Sequence, residues 1–171
     1  MTKVDHIEEQ SEWQHHSEVW RFYQSGQFVD LRAISEDWRD VSELWPPDKG
    51  WRRGGRLGIG DAVFSLYEVF EFAARFANAV EGDDAIIIKA NIGGLKDRAL
   101  YIDDPRRLPL RDQPKGHLDK FPQKYELSRT EVVEDPKRRA VLAAQELFRR
   151  FGREFPDHVL RDWLERMLNQ R

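Results

Sequence analysis

The sequence predicts an α+β domain in which three helices pack on a five-stranded, mainly antiparallel sheet, in the order ββ-α-βββ-αα. Two patterns lead to this fold class. Short runs of alternating aromatic and β-branched residues are separated by glycine-containing turns, as in β-hairpins. Longer stretches carry apolar residues at positions i, i+3, i+4 and i+7, as in amphipathic helices. The 171 residues suffice for one domain of ordinary size.

The first eighteen residues stand apart by charge, because one lysine and five acidic residues leave a local net charge of -4. We expect an acidic N-terminal arm or short helix over residues 1–18 and a single α+β domain over residues 19–171. The domain begins with a hairpin of residues 19–24 and 27–34, which turns at Gly26, a residue type that tolerates positive φ.

A long connection over residues 35–60 follows, with three tryptophans and five glycines. Part of this connection should pack against the rest of the domain, because the apolar surface of an indole is costly to leave in water. The segment from Lys49 to Arg56 carries four cations and no acid. The guanidinium group of arginine can form two hydrogen bonds with one phosphate, and tryptophan can stack on an unpaired base. The candidate residues for nucleic-acid or anion binding are Lys49, Trp51, Arg52, Arg53 and Arg56. The alternative is a solvated loop in which Trp51 covers the edge of the core.

The clearest helix covers residues 61–80, whose apolar positions follow the helical period over most of the cylinder. Glu71 and Arg75 form an expected i, i+4 ion pair on its polar strip. A second hairpin is expected from the alternating isoleucines of residues 85–92, which Gly93 and Gly94 would connect to a strand over residues 98–102.

The last third of the chain predicts one strand and two helices. Residues 125–128 are the expected fifth strand. Asp135 and Pro136 open a helix, because an N-cap carboxylate followed by proline is the preferred start. The last helix begins near Pro156.

Enzymatic chemistry has little support in the sequence. The chain has no cysteine, which excludes disulfides, thiolate zinc sites and cysteine nucleophiles. It has no nucleophile elbow and no phosphate-binding P-loop. We therefore expect no catalytic residues, no metal site and no cofactor. A nuclease is the lowest alternative. The acidic-x-Lys unit at Asp135–Lys137 fits a helix start better than a metal site.

Two Arg-to-His spacings match the RNase motif of HEPN-type domains. They are Arg153 to His158 and Arg111 to His117. Such spacings arise readily by chance among 20 arginines and five histidines. Both also contain proline and lie in connections, so they favour no catalytic role.

The balance of charge limits the possible partners. Lys+Arg 28 against Asp+Glu 31 leaves a net charge of -3, which excludes the coating of nucleic acid through bulk charge. Residues 1–18 carry -4 and residues 137–171 carry +4, so the acidic and basic ends could pair within one chain or between two. No window has the roughly 18–20 apolar residues of a membrane span. A cytoplasmic location without membrane contact is expected.

Three segments carry a resemblance to a known family: WRFYQSGQFVDLRAISEDWRD, SLYEVFEFAARFA and LYIDDPRR. The pattern YxSGQF lies within Phe22–Phe28, and E-x-F-E-F-A-A-R lies at Glu68–Arg75. The chain resembles the C-terminal part of bacterial Schlafen/AlbA-like DNA-binding proteins of the helix-turn-helix class. The resemblance implies a role in regulation or defence, with a companion domain handling nucleic acid. It implies no enzymatic residues for this part.

These observations favour a non-catalytic interaction or sensing module of a bacterial regulatory or defence system. It would act through a protein partner or as a homo-oligomer. The alternative is a nucleic-acid-binding accessory domain that uses the loop from Lys49 to Arg56.

Overall fold

The computed structural model of the protein describes residues 5–13, 16–40, 50–79 and 85–169. The chain divides into two compact units, unit 1 (residues 1–55) and unit 2 (residues 56–171). Their boundary lies inside the predicted connection 35–60, and therefore inside the single domain expected over residues 19–171.

Unit 1 contains a three-stranded antiparallel sheet in the order β1-β2-β3. Its strands are β1 (His6–Trp13), β2 (His16–Tyr23) and β3 (Phe28–Arg32). The β2–β3 hairpin confirms the first predicted hairpin. Gly26 donates its N–H to the carbonyl oxygen of Tyr23 at 2.9 Å and has a φ of +81°, which glycine adopts without strain. A short 3-10 helix (Ser35–Asp37) follows.

The structure corrects the expectation for the N-terminal residues. Residues 6–13 form the edge strand β1 and not an arm or a short helix. The apolar–polar alternation of a half-buried strand is missing from β1, because none of its described side chains is buried. Consecutive residues such as Glu8 and Glu9 point to opposite faces of the sheet, so both faces carry acidic side chains. Charged residues on an edge strand also discourage pairing with strands of other chains.

Unit 2 contains four strands and four helices among its described residues. In chain order they are β4 (Arg56–Gly58), α1 (Ile59–Ala79), β5 (Ala85–Ile92), β6 (Ala99–Tyr101), β7 (Phe121–Ser128), α2 (Arg129–Glu134), α3 (Pro136–Arg149) and α4 (Asp157–Leu168). Helix α1 is central and contacts α2, α3 and α4. Val63, Phe70, Phe148 and Leu160 are among the side chains buried in this core. No helix in the described ranges is long and apolar enough to cross a membrane.

Three helices form where the sequence predicts them. The apolar positions of α1 are buried at helical spacing, and Arg75 Nε donates to Glu71 Oε1 at 2.8 Å, as expected. Asp135 caps α3, because its Oδ1 accepts the N–H of Arg138 at 2.8 Å. Helix α4 begins just after Pro156. The sequence does not predict helix α2, so the described residues form four α-helices and not three.

The prediction of one five-stranded sheet is wrong, although the α+β class is confirmed. The described strands form separate sheets of three, two and two strands. The second predicted hairpin is also wrong. Strand β5 pairs antiparallel with β7, whereas β6 pairs parallel with β4.

The pairing of β5 follows from its length and its pattern. All eight residues of β5 find partners on β7, and Ile86, Ile88 and Ile92 lie opposite Leu127, Tyr125 and Phe121. Strand β6 has only three residues and cannot match this pairing. The segment between β5 and β6 is held by the buried Arg98, whose Nε donates to the carbonyl oxygen of Gly94 at 2.6 Å. Its Nη1 also donates to the carbonyl oxygen of Arg56, in β4, at 3.2 Å.

Candidate functional site

The predicted binding loop has its tryptophan in the interior of the protein. Trp51 is only 9% exposed, and its indole N–H donates to the carbonyl oxygen of Arg39 at 2.9 Å. The ring therefore has little face to offer an unpaired base. This is the position that the alternative interpretation describes, in which Trp51 covers the edge of the core. Lys49 lies outside the described residues.

The arginines of this loop lie in different surroundings. Arg52 is exposed, and Arg53 Nη2 donates to Asp40 Oδ2 at 3.2 Å. Both belong to a turn that closes where Gly55 N–H donates to the carbonyl oxygen of Arg52 at 2.9 Å. Arg56 belongs to unit 2, where its guanidinium carbon lies 5.8 Å from the centroid of the Tyr101 ring. The structure thus brings Arg52 and Arg53 together in unit 1 and places Arg56 in unit 2.

Two of the residues considered for a nuclease, Arg153 and Asp135, form other interactions in unit 2. Arg153 forms an ion pair with Asp112, while His158 is exposed on α4. Asp135 is engaged as the cap of α3. No three His, Asp or Glu side chains within the described ranges are grouped as a metal ion would require.

A second candidate site is a cleft of about 320 Å³ in unit 2, between β7 and the end of α3. Gln123 of β7 lines one part of it, and Glu146, Arg149 and Arg150 line the other. Glu146 is a neighbour of both arginines at the helix end, because Arg149 and Arg150 follow it by three and four residues. We call this cleft the arginine cleft.

The polar groups of the arginine cleft are poorly matched with one another. Glu146 precedes Arg150 by four residues, the best spacing for a helical ion pair, yet it forms no ion pair with any described residue. Arg150 also lacks an ion pair with the described residues, and Arg149 Nε lies 3.5 Å from Glu154 Oε1. Among the described residues, Arg149 thus has an acidic partner outside the cleft, whereas Glu146 and Arg150 have no ion pair.

Tyr125 lies two residues after Gln123 on the same face of β7, but it does not line this cleft. Its ring packs edge-on against Phe70, with the ring centroids 5.2 Å apart. Its hydroxyl is buried and has no hydrogen-bond partner among the described residues. Burial, with a smaller contribution from the negative charge of Glu146, raises the pKa of Tyr125 to about 12. The phenol is therefore a neutral hydrogen-bond donor at physiological pH.

Sequence reasoning missed the arginine cleft. The local signal is Glu146 followed by Arg149 and Arg150 at the end of a helix, but this pattern is common on solvated helix surfaces. The strand on the other side of the cleft lies more than twenty residues earlier, and it pairs with β5, whereas the sequence predicts that β5 pairs with residues 98–102.

Comparisons with known proteins leave the fold and the two sites to be interpreted from the chain itself. No protein-family model, no curated protein and no solved structure matches the sequence or the fold. The resemblance to Schlafen/AlbA-like proteins therefore stays a prediction.

Proposed function

We propose that this chain is a non-catalytic interaction module that acts in the cytoplasm through a protein partner or by self-association. The bacterial regulatory or defence setting follows from the sequence resemblance. The observation that carries the proposal is the sheet of unit 1, because none of its described side chains is fully buried. A three-stranded sheet is normally stabilised by covering one apolar face.

One face of this sheet carries a cluster of large apolar groups, whereas Val19, Val29 and Leu31 lie on the other face. Ile7, Phe22 and Phe28 lie opposite one another across the three strands. Trp20 stacks on Phe28, with ring centroids 6.2 Å apart and an angle of 27° between the rings. We call these four residues the aromatic face. Ile7 is exposed and the three rings are half-buried, and partly exposed apolar groups with aromatic rings are typical of protein interfaces.

Ile7 tests this proposal, because it is the member of the aromatic face with 66% of its surface exposed. Ile7→Asn should weaken self-association or partner binding about tenfold, since burial of one isoleucine contributes about 1.5–3 kcal/mol. The fold of the Ile7→Asn variant should change little. Multi-angle light scattering over a concentration series, together with partner capture from the host, measures the effect.

Leu31→Asn is the matched control. Leu31 is 65% exposed and lies on the opposite face of the same sheet, beside Val19. It should leave association unchanged. A wild-type protein that stays monomeric at high concentration and captures no partner would contradict the proposal, as would equal effects of the two variants.

A second candidate function, the nucleic-acid-binding accessory domain, is favoured by the side chain of Arg52. It is exposed and forms no ion pair with a described residue. The triple variant Arg52→Ala, Arg53→Ala and Arg56→Ala should weaken binding to single-stranded nucleic acid. The salt dependence of the affinity should become shallower, by about 0.7 in log–log slope for each lost phosphate contact. Fluorescence anisotropy at several salt concentrations measures both effects.

The control is a second triple variant with the same change in net charge, made on the helices α3 and α4 at Arg138, Arg161 and Arg166. Unchanged affinity in the loop variant, or equal losses in both variants, would exclude a specific role of the loop.

A further inference from the structure

Two acidic side chains flank the tryptophan of the aromatic face. In the register of the sheet, Trp20 lies opposite Glu9 of β1 and opposite Asp30 of β3. Residues directly opposite one another point to the same face of a sheet, with Cβ atoms about 5 Å apart. The two carboxyl groups therefore lie on either side of the indole ring, and a positive charge above the ring would lie between them.

The cations of this face do not balance its acids. Arg32 Nε lies 3.7 Å from Asp30 Oδ2, and Arg32 is also directly opposite Glu18 in the register. Glu9 is exposed and forms no ion pair with a described residue. Among the described side chains of the paired strands, this face therefore carries three carboxylates and one guanidinium group.

Glu8, the neighbour of Glu9, shows how an acid of β1 is neutralised on the other face. Glu8 lies opposite Arg21 and forms an ion pair with it. Glu9 has an indole in the corresponding position on β2, and an indole cannot neutralise a carboxylate. The negative charge of Glu9 is therefore available to a cation from outside the sheet.

We propose that the aromatic face binds an extended segment of a partner protein, with an arginine of that segment seated on Trp20. This inference names the partner of the function proposed above and rests on it. Trp20 is half-buried, so its ring is partly accessible. A guanidinium group is planar, so it can stack on an indole and also donate hydrogen bonds to a carboxylate beside it.

The apolar row beside Trp20 sets a second requirement on the partner. Ile7, Phe22 and Phe28 lie opposite one another two residues further along the strands. This places them about 7 Å from the row of Trp20. Side chains two residues apart in an extended segment have the same spacing and point to the same side. An arginine with an apolar residue two positions away therefore matches both rows.

Fluorescence anisotropy with the full chain and labelled peptides tests this chemistry. The probe is a peptide in which arginine and leucine alternate at every second position, with serine between them. It should bind at least about tenfold more tightly than the same peptide with citrulline in place of arginine, because citrulline keeps the shape but not the charge. Equal affinities would overturn the proposal, as would the absence of arginine-peptide binding at millimolar concentrations of the chain.

Glu9→Lys should weaken binding of the arginine peptide about tenfold, because an attraction is replaced by a repulsion. Glu12→Lys is the matched control. Glu12 is also exposed on β1 without an ion pair to a described residue, but it points to the opposite face. This control makes the same change in net charge and should leave the affinity unchanged. Equal losses in the two variants would indicate attraction to charge in general and would overturn the proposal.

Trp20→Leu keeps an apolar side chain on the sheet and removes the ring. It should reduce the preference for the arginine peptide over the citrulline peptide about threefold, the loss expected for a cation–π contact at an exposed site. An unchanged preference would refute the seat of the arginine on Trp20.

The failure of this inference can be told apart from the failure of the proposed function. If Ile7→Asn weakens association but Glu9→Lys does not, the aromatic face is an interface whose partner, such as a second copy of the chain, is not held by a cation. That result overturns the inference alone. If Ile7→Asn leaves association unchanged, the proposed function itself fails.

Discussion

Gly116→Ala is expected to destabilise unit 2 by roughly 3 kcal/mol, at the upper end of the usual cost of overpacking. A Cβ atom at this position would lie 2.3 Å from the carbonyl oxygen of Leu95, which is far inside van der Waals contact. It would also lie 3.2 Å from Cε1 of Phe151. The conflict is mainly with backbone, which cannot move aside as a flexible side chain can.

The backbone around Gly116 is held on both sides by hydrogen bonds. Gly116 N–H donates to the carbonyl oxygen of Arg98 at 2.9 Å, and its own carbonyl oxygen accepts the N–H of Asp97 at 2.9 Å. Leu95 is almost fully buried. Relief of the clash would therefore break a backbone hydrogen bond or displace a core side chain.

Urea unfolding followed by circular dichroism at 222 nm measures this loss, because the four described α-helices belong to unit 2. Gly93→Ala is the control, since a Cβ at this exposed glycine meets nothing within 4 Å. Its free energy of unfolding should stay within about 0.5 kcal/mol of the wild-type value. Equal stability of the two variants would show that the close approach of Gly116 to Leu95 is not maintained in solution.

The helices of unit 2 could be predicted because their signals are local. The burial pattern of α1 repeats at helical spacing, and the cap of α3 is formed by residues next to its start. Helix α2 also has a local signal in the sequence. Ser128 accepts the N–H of Glu131, and Glu131 accepts the N–H of Ser128, which makes a capping box.

Strand pairing could not be predicted in the same way, because it depends on competition between distant segments. Gly93 and Gly94 follow β5 as a hairpin turn would, but β7 offers a longer and better-matched partner. The candidate sites also combine features that the sequence shows with contacts that it does not show. The loop from Lys49 to Arg56 is visible in the sequence as a run of cations. The buried indole of Trp51, by contrast, donates its N–H to the carbonyl oxygen of Arg39, twelve residues earlier, and this contact is not visible in the sequence.

The second large effect concerns Asp103, and Asp103→Ala should cost about 2 kcal/mol of stability. Its Oδ1 accepts the N–H of Gly60 at 2.9 Å, and its Oδ2 accepts the N–H of Asp61 at 2.7 Å. These are first-turn donors of α1, which no residue within the helix can satisfy. Alanine would leave both donors without their partner at the start of the central helix.

The close contact between Asp103 and the helix requires glycine at position 60. A Cβ on Gly60 would lie 3.0 Å from both carboxylate oxygens of Asp103 and 3.1 Å from Sδ of Met167. The capping carboxylate is therefore enclosed. Burial, and then the negative charge of Asp61, raise the pKa of Asp103 above its ordinary value of 3.8, although the two backbone N–H donors act in the opposite direction.

This shift gives the pH dependence of stability a definite sign. A carboxyl group whose pKa is raised in the folded state contributes stability that is fully present below its unfolded pKa and is lost as the pH rises through the folded value. The difference in free energy of unfolding between the wild type and Asp103→Asn should therefore decrease as the pH rises from about 3.8. Urea unfolding at a series of pH values measures it.

Asp104 is the control with the opposite sign, although it is the next residue in the chain. A hydrogen bond from the Arg106 side chain is the main cause that lowers the pKa of Asp104. Its contribution is present above the unfolded pKa and is lost as the pH falls through the folded value. The wild-type advantage over Asp104→Asn should shrink towards acid pH, whereas the advantage over Asp103→Asn should grow. If both differences changed with pH in the same direction, the two backbone N–H donors at the start of α1 would outweigh the burial of the Asp103 carboxylate, and the raised pKa would be refuted.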